Sequence, residues 1–280
     1  MKIPFQSLRS RWLSALALLA VTVVPATAQE QLVGLSSKNR LVFFTSTDPG
    51  SVLVLPVTGL AKGEKILGLD RRPATGQLYA LGSTSRLYVI NINTGAASAV
   101  GAAPFTPALS GTRFGFDFNP TVDRIRIISN TGQNLRAHPD TGAIAATDVN
   151  TAYAVGDAGE GTAALVSGSG YTNSVSPTPA TTTLYNIESR RDVLVIQNPP
   201  NNGTLNTVGP LGVNVTETVG FDVAQNGVAY GSFQLKLKFA KSARSWLYTV
   251  DLTTGATTQV GKIGGPSVVS AITALGQLAQ

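Results

Sequence analysis

Three aspartates recur in one local setting: Gly68-Leu69-Asp70, Gly115-Phe116-Asp117 and Gly220-Phe221-Asp222. Carboxylates carried by copies of a repeated unit toward a common axis could hold Ca²⁺, which takes six to eight oxygen ligands. The same carboxylates can instead accept backbone N–H groups in Asx turns, as the chain bends toward Pro73, Pro120 or Gly227. Recurrence favours the turn role, because a fold requirement repeats in every unit whereas a binding site usually does not. A second constellation lies just beyond Asp117, where Arg124, Arg126, Arg136 and His138 alternate with Ile125, Ile127, Leu135 and Ala137. If those two strands pair across residues 130–132, Arg126 and Arg136 face each other, and like charges directly opposite destabilise a sheet. An internal carboxylate, from Asp117, Asp123 or Asp140, is the expected neutraliser. The functional alternative is a bound anion, an acidic glycan or phosphate, held by Arg124, Arg126 and Arg136 with Asn134 as an amide donor.

Other chemistries find few residues to use. The chain has no Cys and one His, His138, which leaves no thiolate nucleophile, disulfide or multi-His metal cluster. No serine stands in a nucleophile elbow; Ser167-Gly168-Ser169-Gly170 reads as a flexible turn. The run Gly156-Asp157-Ala158-Gly159-Glu160-Gly161 has neither the lysine nor the strand-to-helix setting of a phosphate loop, and reads as a connection. The basic stretch Lys236, Lys238, Lys241 and Arg244 alternates with Leu235, Leu237 and Phe239 like a single strand with one wet face.

The first 28 residues read as an export signal. Lys2, Arg9 and Arg11 precede the apolar run 12–24, and Ala26-Thr27-Ala28 supplies a small-x-small cleavage pattern, so the mature chain is expected to begin at Gln29 in the periplasm or medium. No later stretch is long enough to span a bilayer. The net charge of +6 then falls: 18 basic residues face 15 acidic ones, a balance of +3, too weak and too dispersed for nucleic acid.

The elements that must position these residues follow from the repeat. The three G-[LF]-D segments are spaced by 47 and then 105 residues, which leaves room for one degenerate unit between the second and third. Each is followed by a turn, a short apolar strand, a second strand such as Leu87-Tyr88-Val89-Ile90 or Leu247-Tyr248-Thr249-Val250, and a Thr-Gly turn at Thr94-Gly95, Thr141-Gly142 or Thr254-Gly255. The degenerate unit carries the strands 183–187 and 193–196 and the turn Asn202-Gly203. Four short strands in roughly 50 residues, with no helical periodicity, is the pattern of a β-propeller blade. The mature length allows five blades, or six if residues 31–67 are split. The apolar segment 268–275 is placed to complete the blade begun at 31–35 and so close the ring. The prediction is one all-β domain over residues 29–280.

The strings Gly115-Phe116-Asp117-Phe118-Asn119-Pro120, Asp123-Arg124-Ile125-Arg126, Thr131 to Arg136 and Asp140-Thr141-Gly142 also resemble a bacterial family of secreted proteins, domain of unknown function 4394. Tyr171-Thr172-Asn173, Thr183-Leu184-Tyr185 and Gln197 to Leu205 fit the same pattern. The resemblance implies a propeller-like fold and export, and no established activity. The functional expectation is a binding or scaffold module in the periplasm or at the cell surface, with an anionic glycan or a surface protein as partner and no cofactor unless Ca²⁺ occupies the aspartates. The competing expectations are a metal-dependent hydrolase or lactonase-like enzyme using channel carboxylates, disfavoured by the scarcity of His, and a purely structural envelope or matrix protein.

Overall fold

The computed structural model describes residues 29–277 except 240 and 266; the predicted export signal lies outside the described residues. The chain builds five small antiparallel sheets in a ring. Blade I contains β1 (Glu30–Ser36), β2 (Arg40–Thr45) and β3 (Leu53–Pro56). Blade II is β4 (Ile66–Arg71), β5 (Leu78–Gly82), β6 (Arg86–Ile90) and β7 (Ala97–Val100). Blade III is β8 (Phe114–Asn119), β9 (Arg124–Ser129), β10 (Asn134–Ala137) and β11 (Ile144–Thr147). A two-residue strand, β12 (Ala152–Tyr153), crosses to the outer edge of blade IV, which comprises β13 (Val166–Tyr171), β14 (Leu184–Glu188), β15 (Val193–Gln197) and β16 (Thr204–Pro210). Blade V is β17 (Val215–Val223), β18 (Ala229–Lys236), β19 (Lys241–Val250) and β20 (Thr257–Lys262). The last strand, β21 (Val269–Gln277), returns to pair with β1, so blade I takes its innermost strand from the far end of the chain. Five blades and closure by the C-terminal strand are as the repeat predicts.

The innermost strands β4, β8, β13, β17 and β21 pack successively around the axis. Short strands fit here because each blade buries both faces against its neighbours, and the apolar residues accordingly fall into five clusters, one per seam. Tyr79, Leu81 and Leu87 of blade II meet Phe116, Phe118 and Ile125 of blade III in one of them, with Tyr79 edge-on to Phe118 at 5.1 Å.

Two expectations are corrected. Ser167 to Gly170 is no flexible turn but the buried inner strand of blade IV. Its small residues are demanded by close packing: a Cβ on Gly168 would stand 2.9 Å from Cβ of Phe221, and one on Gly115 would collide with Ser169. The serines spend their hydroxyls internally, Ser167 on Ser189 at 2.7 Å and Ser169 on Asn186 at 2.6 Å. The basic stretch is likewise not one strand. The alternation runs through the β18–β19 hairpin, with Lys236 at the end of one strand and Lys241 opening the next.

Because β21 is an inner strand, touching β1, β4 and β17, its loss opens two seams at once. Deletion of residues 268–280 is expected to lower the melting temperature by at least about 10 °C or render the protein insoluble, by exposing the β1 edge. Calorimetry on the two purified chains checks this, and equal melting curves would refute closure by this strand.

Candidate functional site at the mouth of the central channel

The aspartates of the repeat meet at the axis. Asp70, Asp117 and Asp222 are all buried, and one oxygen from each lies within 4.8 Å of the others. Each reaches across a seam to a backbone amide of the following blade. Asp70 accepts from Phe118 N at 2.7 Å, Asp117 from Tyr171 N at 2.9 Å, and Asp222 from Ala274 N at 2.6 Å. Thr273 stands at the corresponding place in β21, donating its hydroxyl to Asp70 at 2.8 Å. In β13 the corresponding residue is Gly170, which has no side chain to offer. These aspartates do accept backbone N–H groups, but the amide contact common to all three lies on the next blade rather than in a local turn; Asp70 adds its own neighbour Arg71 N at 2.7 Å and the Thr273 hydroxyl of blade I.

No guanidinium or ammonium group bonds these three carboxylates among the described residues. Burial raises the pKa of Asp70 well above the usual carboxylate range, with repulsion from Asp222 adding to it. Asp117 is raised well above that range by burial and then by Asp70 and Asp222; Asp222 is raised chiefly by burial. Ca²⁺ would find three carboxylates here against a need of six to eight oxygens, and both Asp70 oxygens already serve protein donors.

The arginine constellation forms a separate interior network. Arg126 and Arg136 do stand opposite each other in the β9–β10 pairing. Their neutraliser is Asp148, just past β11, and not Asp117, Asp123 or Asp140. Asp148 accepts from Arg126 Nη1 at 2.5 Å and, in bidentate fashion, from Arg136 at 2.8 and 2.9 Å. Arg126, 2% exposed, also bonds Asn134 Oδ1 at 2.8 Å, Asn201 Oδ1 at 2.7 Å and the Tyr171 hydroxyl at 3.3 Å. The Asn134 amide is spent on the carbonyls of Val149 and Pro200. Arg124 lies apart, turned onto the carbonyls of Val122 and Asp123. Asp123 and Asp140 pair instead with Arg72. The four residues read as an anion site are thus held by protein groups.

An accessible site lies at the other end of the inner strands. A cavity of about 380 Å³ opens where these strands begin, with every blade contributing to its wall. Ser37, Thr112, Thr218 and Ser270 line it together with Lys65 and Arg113, the Ser167 hydroxyl being turned inward onto Ser189, and among the described residues no carboxylate does. A second cavity of about 340 Å³ adjoins it, sharing Thr112, Arg113 and Thr218 and adding Arg190, Lys236 and Glu217. The cations sit on fixed backbone. Glu64, beside Lys65, is lashed to the β5–β6 hairpin by Ser83, Thr84 and Tyr88; those bonds outweigh burial and hold its pKa low. Asn39, at φ 52°, ties the β1–β2 hairpin to Glu64 O and Ile66 N. Asn130 brackets residues 112–113 and donates to Glu217 at 2.6 Å.

Further along the same strands the channel narrows to a void of about 10 Å³ walled by Leu69, Phe116, Phe221 and Ile272. That is room for one water at most. The mouth is thereby walled off from the aspartates. Lys65, Thr112, Arg113 and Thr218 escaped the reading of the sequence; their signal is position, two or three residues ahead of the glycine of each repeat.

Fold and site together define a five-bladed β-propeller with a polar, cationic channel mouth. The family described as Domain of unknown function (DUF4394) matches residues 40–273, and the chain belongs to it. No curated protein matches the chain. Among solved structures it is similar to a protein of unknown function from Bacteroides thetaiotaomicron VPI-5482, at 13% identity and a TM-score of 0.52, covering 90% of this chain and 69% of that one. It is also matched by a protein from Lactobacillus plantarum at 16% identity and a TM-score of 0.41, covering 84% and 67%. At 13% identity the first shows the fold alone.

Two outcomes are expected. An acid whose folded-state pKa is raised takes up a proton on folding, so its contribution is favourable at low pH and is lost as the pH rises through the raised value. Lowering the pH from about 7.5 to about 5.5 should therefore raise the melting temperature, and Asp117→Asn, which keeps the acceptor for Tyr171 N without the charge, should shrink that gain. Asp117→Ala should cost about 1–3 kcal/mol by orphaning the amide. Thermal melts across pH check both; a gain produced by Ca²⁺ and lost in Asp117→Asn would assign the triad to a cation. In the arginine network, Arg126→Ala should cost about 3–5 kcal/mol, having removed one partner of a buried pair. Arg136→Ala, at a half-exposed position, should cost far less by urea denaturation.

Proposed function

We propose that the protein is an exported binding module whose channel mouth takes an acidic, hydroxyl-rich ligand, an anionic glycan being the class that fits. One observation carries this: a cavity built by all five blades, ringed with hydroxyls, flanked by Lys65 and Arg113 and lined by no carboxylate. Hydroxyls exchange hydrogen bonds with sugar hydroxyls, while the guanidinium offers a planar fork suited to a carboxylate or sulfate. Arg190 in the adjoining cavity extends the positive lining beside Glu217, which is engaged by Asn130, so a ligand longer than one sugar would be accommodated. The hydrolase alternative needs the channel carboxylates to reach a substrate, and the apolar constriction stands between them and the mouth. Export rests on the residues 1–28.

The test is a glycan array probed with the mature chain, followed by calorimetric titration of any hit. Uronate-bearing or sulfated glycans should be retained over neutral ones, with affinity falling as salt rises. Arg113→Ala and Lys65→Ala should each weaken binding by roughly tenfold, the loss of one charge-assisted contact, with an unchanged melting temperature. Absence of anionic glycans among the hits, or binding indifferent to both substitutions, would overturn the reading. Expression of the full chain in a bacterium should yield periplasmic or secreted protein beginning at Gln29, read by N-terminal sequencing.

A further inference from the structure

The β18–β19 hairpin differs from its counterparts in the other blades. In blade II the strand paired with the inner strand runs three residues beyond the partner of the repeat aspartate, from Tyr79 to Gly82, and in blade III likewise from Arg126 to Ser129. In blade V it runs six, from Tyr230 to Lys236, and the turn follows. At about 3.3 Å per residue the hairpin stands roughly 10 Å further out than its neighbours. It rises beside the mouth, since Lys236 lines the adjoining cavity together with Arg113 and Arg190.

What it carries at its tip is unusual for a protein surface. Phe239 is 92% exposed, matched among the exposed large apolar side chains of the described residues only by Val155, and Leu237 two positions before it is 54% exposed. Between them Lys238 sets its ammonium 5.6 Å from the Phe239 ring centre. Lys236 and Lys238 are exposed, and the sequence adds Lys241 at the start of the returning strand. Exposed Lys38, Lys65, Arg113 and Arg190 lie on hairpins and connections at the same end of the ring. An apolar tip within a collar of lysines, projecting from a cationic face, matches the layering of a bilayer whose anionic headgroups overlie hydrocarbon. A soluble polyanion would satisfy the lysines and leave Phe239 and Leu237 in water.

We propose that this hairpin docks the protein on an anionic lipid surface, with Phe239 and Leu237 entering the headgroup layer and Lys238 pairing with lipid phosphates, while Lys236 at the base of the tip stays tied to Ser189 O at 3.1 Å and to Asp192. Docking in this way turns the channel mouth toward the membrane. The proposal stands independently of the glycan reading, because Leu237, Lys238 and Phe239 line neither cavity.

Flotation of the mature chain with vesicles tests it. Vesicles of phosphatidylcholine with 30–40% phosphatidylglycerol, a proportion of about one anionic lipid in three chosen for a strong surface potential, should carry the protein at least about tenfold better than phosphatidylcholine alone, and high salt should release it. Phe239→Ser should lower the bound fraction by tenfold or more without moving the melting temperature, and Lys238→Glu should act in the same direction. With Phe239→Trp, emission should shift to the blue and be quenched by brominated lipid, a signature that surface electrostatics alone does not give. Equal flotation with neutral vesicles, equal flotation of Phe239→Ser, or a water-exposed tryptophan on bound vesicles would each overturn the proposal. Arg113→Ala should leave flotation within about twofold of the parent, since one rim charge adds little beside the tip; loss of flotation in Arg113→Ala but not in Phe239→Ser would place lipid contact at the mouth instead.

Discussion

The ring is held at its axis by side chains that cross from one blade to a backbone amide of the next. An inner strand exposes one edge to the channel, and an unpaired amide there would be costly to bury. Asp70, Asp117 and Asp222 cover such amides on Phe118, Tyr171 and Ala274. The cost is three carboxylates at close quarters in a place from which water is nearly excluded, and all three are consequently easier to protonate than usual. Position along the strand does the rest: Lys65, Thr112, Arg113 and Thr218, ahead of the repeat's glycine, reach the mouth, while the aspartates after it are sealed. One strand motif therefore sets both the lock and the mouth.

How much of this could be read from the sequence depended on whether a physical demand was repeated. The G-[LF]-D segments were legible because three blades solve the same amide problem the same way, and the spacing of those solutions, set against the chain length, narrows the ring to five blades or six. Blade IV was harder. Gly170 stands where aspartate is expected, and Ser167-Gly168-Ser169-Gly170 lacks the apolar alternation of a strand because Phe221 and the neighbouring backbone already fill the space side chains would need. Composition reported flexibility where packing imposed rigidity.

The site shows the same division. That Arg126 and Arg136 face each other followed from alternation and a turn. That Asp148 lies between them did not, since it sits past β11 with no repeated counterpart to point to it. The mouth residues Lys65 and Arg113 were invisible for a different reason: they come from different blades, in different sequence settings, and are neighbours only once the ring is closed. The β18–β19 hairpin misled because Lys and apolar residues continue to alternate straight through a turn.

The order in which the strands are made has a consequence for timing. β1 leaves the ribosome well before β21, with four blades made between them, yet they are partners in one sheet. Blades II to V can gather as they emerge, but blade I lacks its inner strand until β21 has followed blade V, and domains generally fold as units when their chain is available. The final lock is thus postponed until β21 emerges. Throughout that interval the ring is open at blade I, and the nascent polypeptide can still be engaged by machinery that handles only unfolded chains.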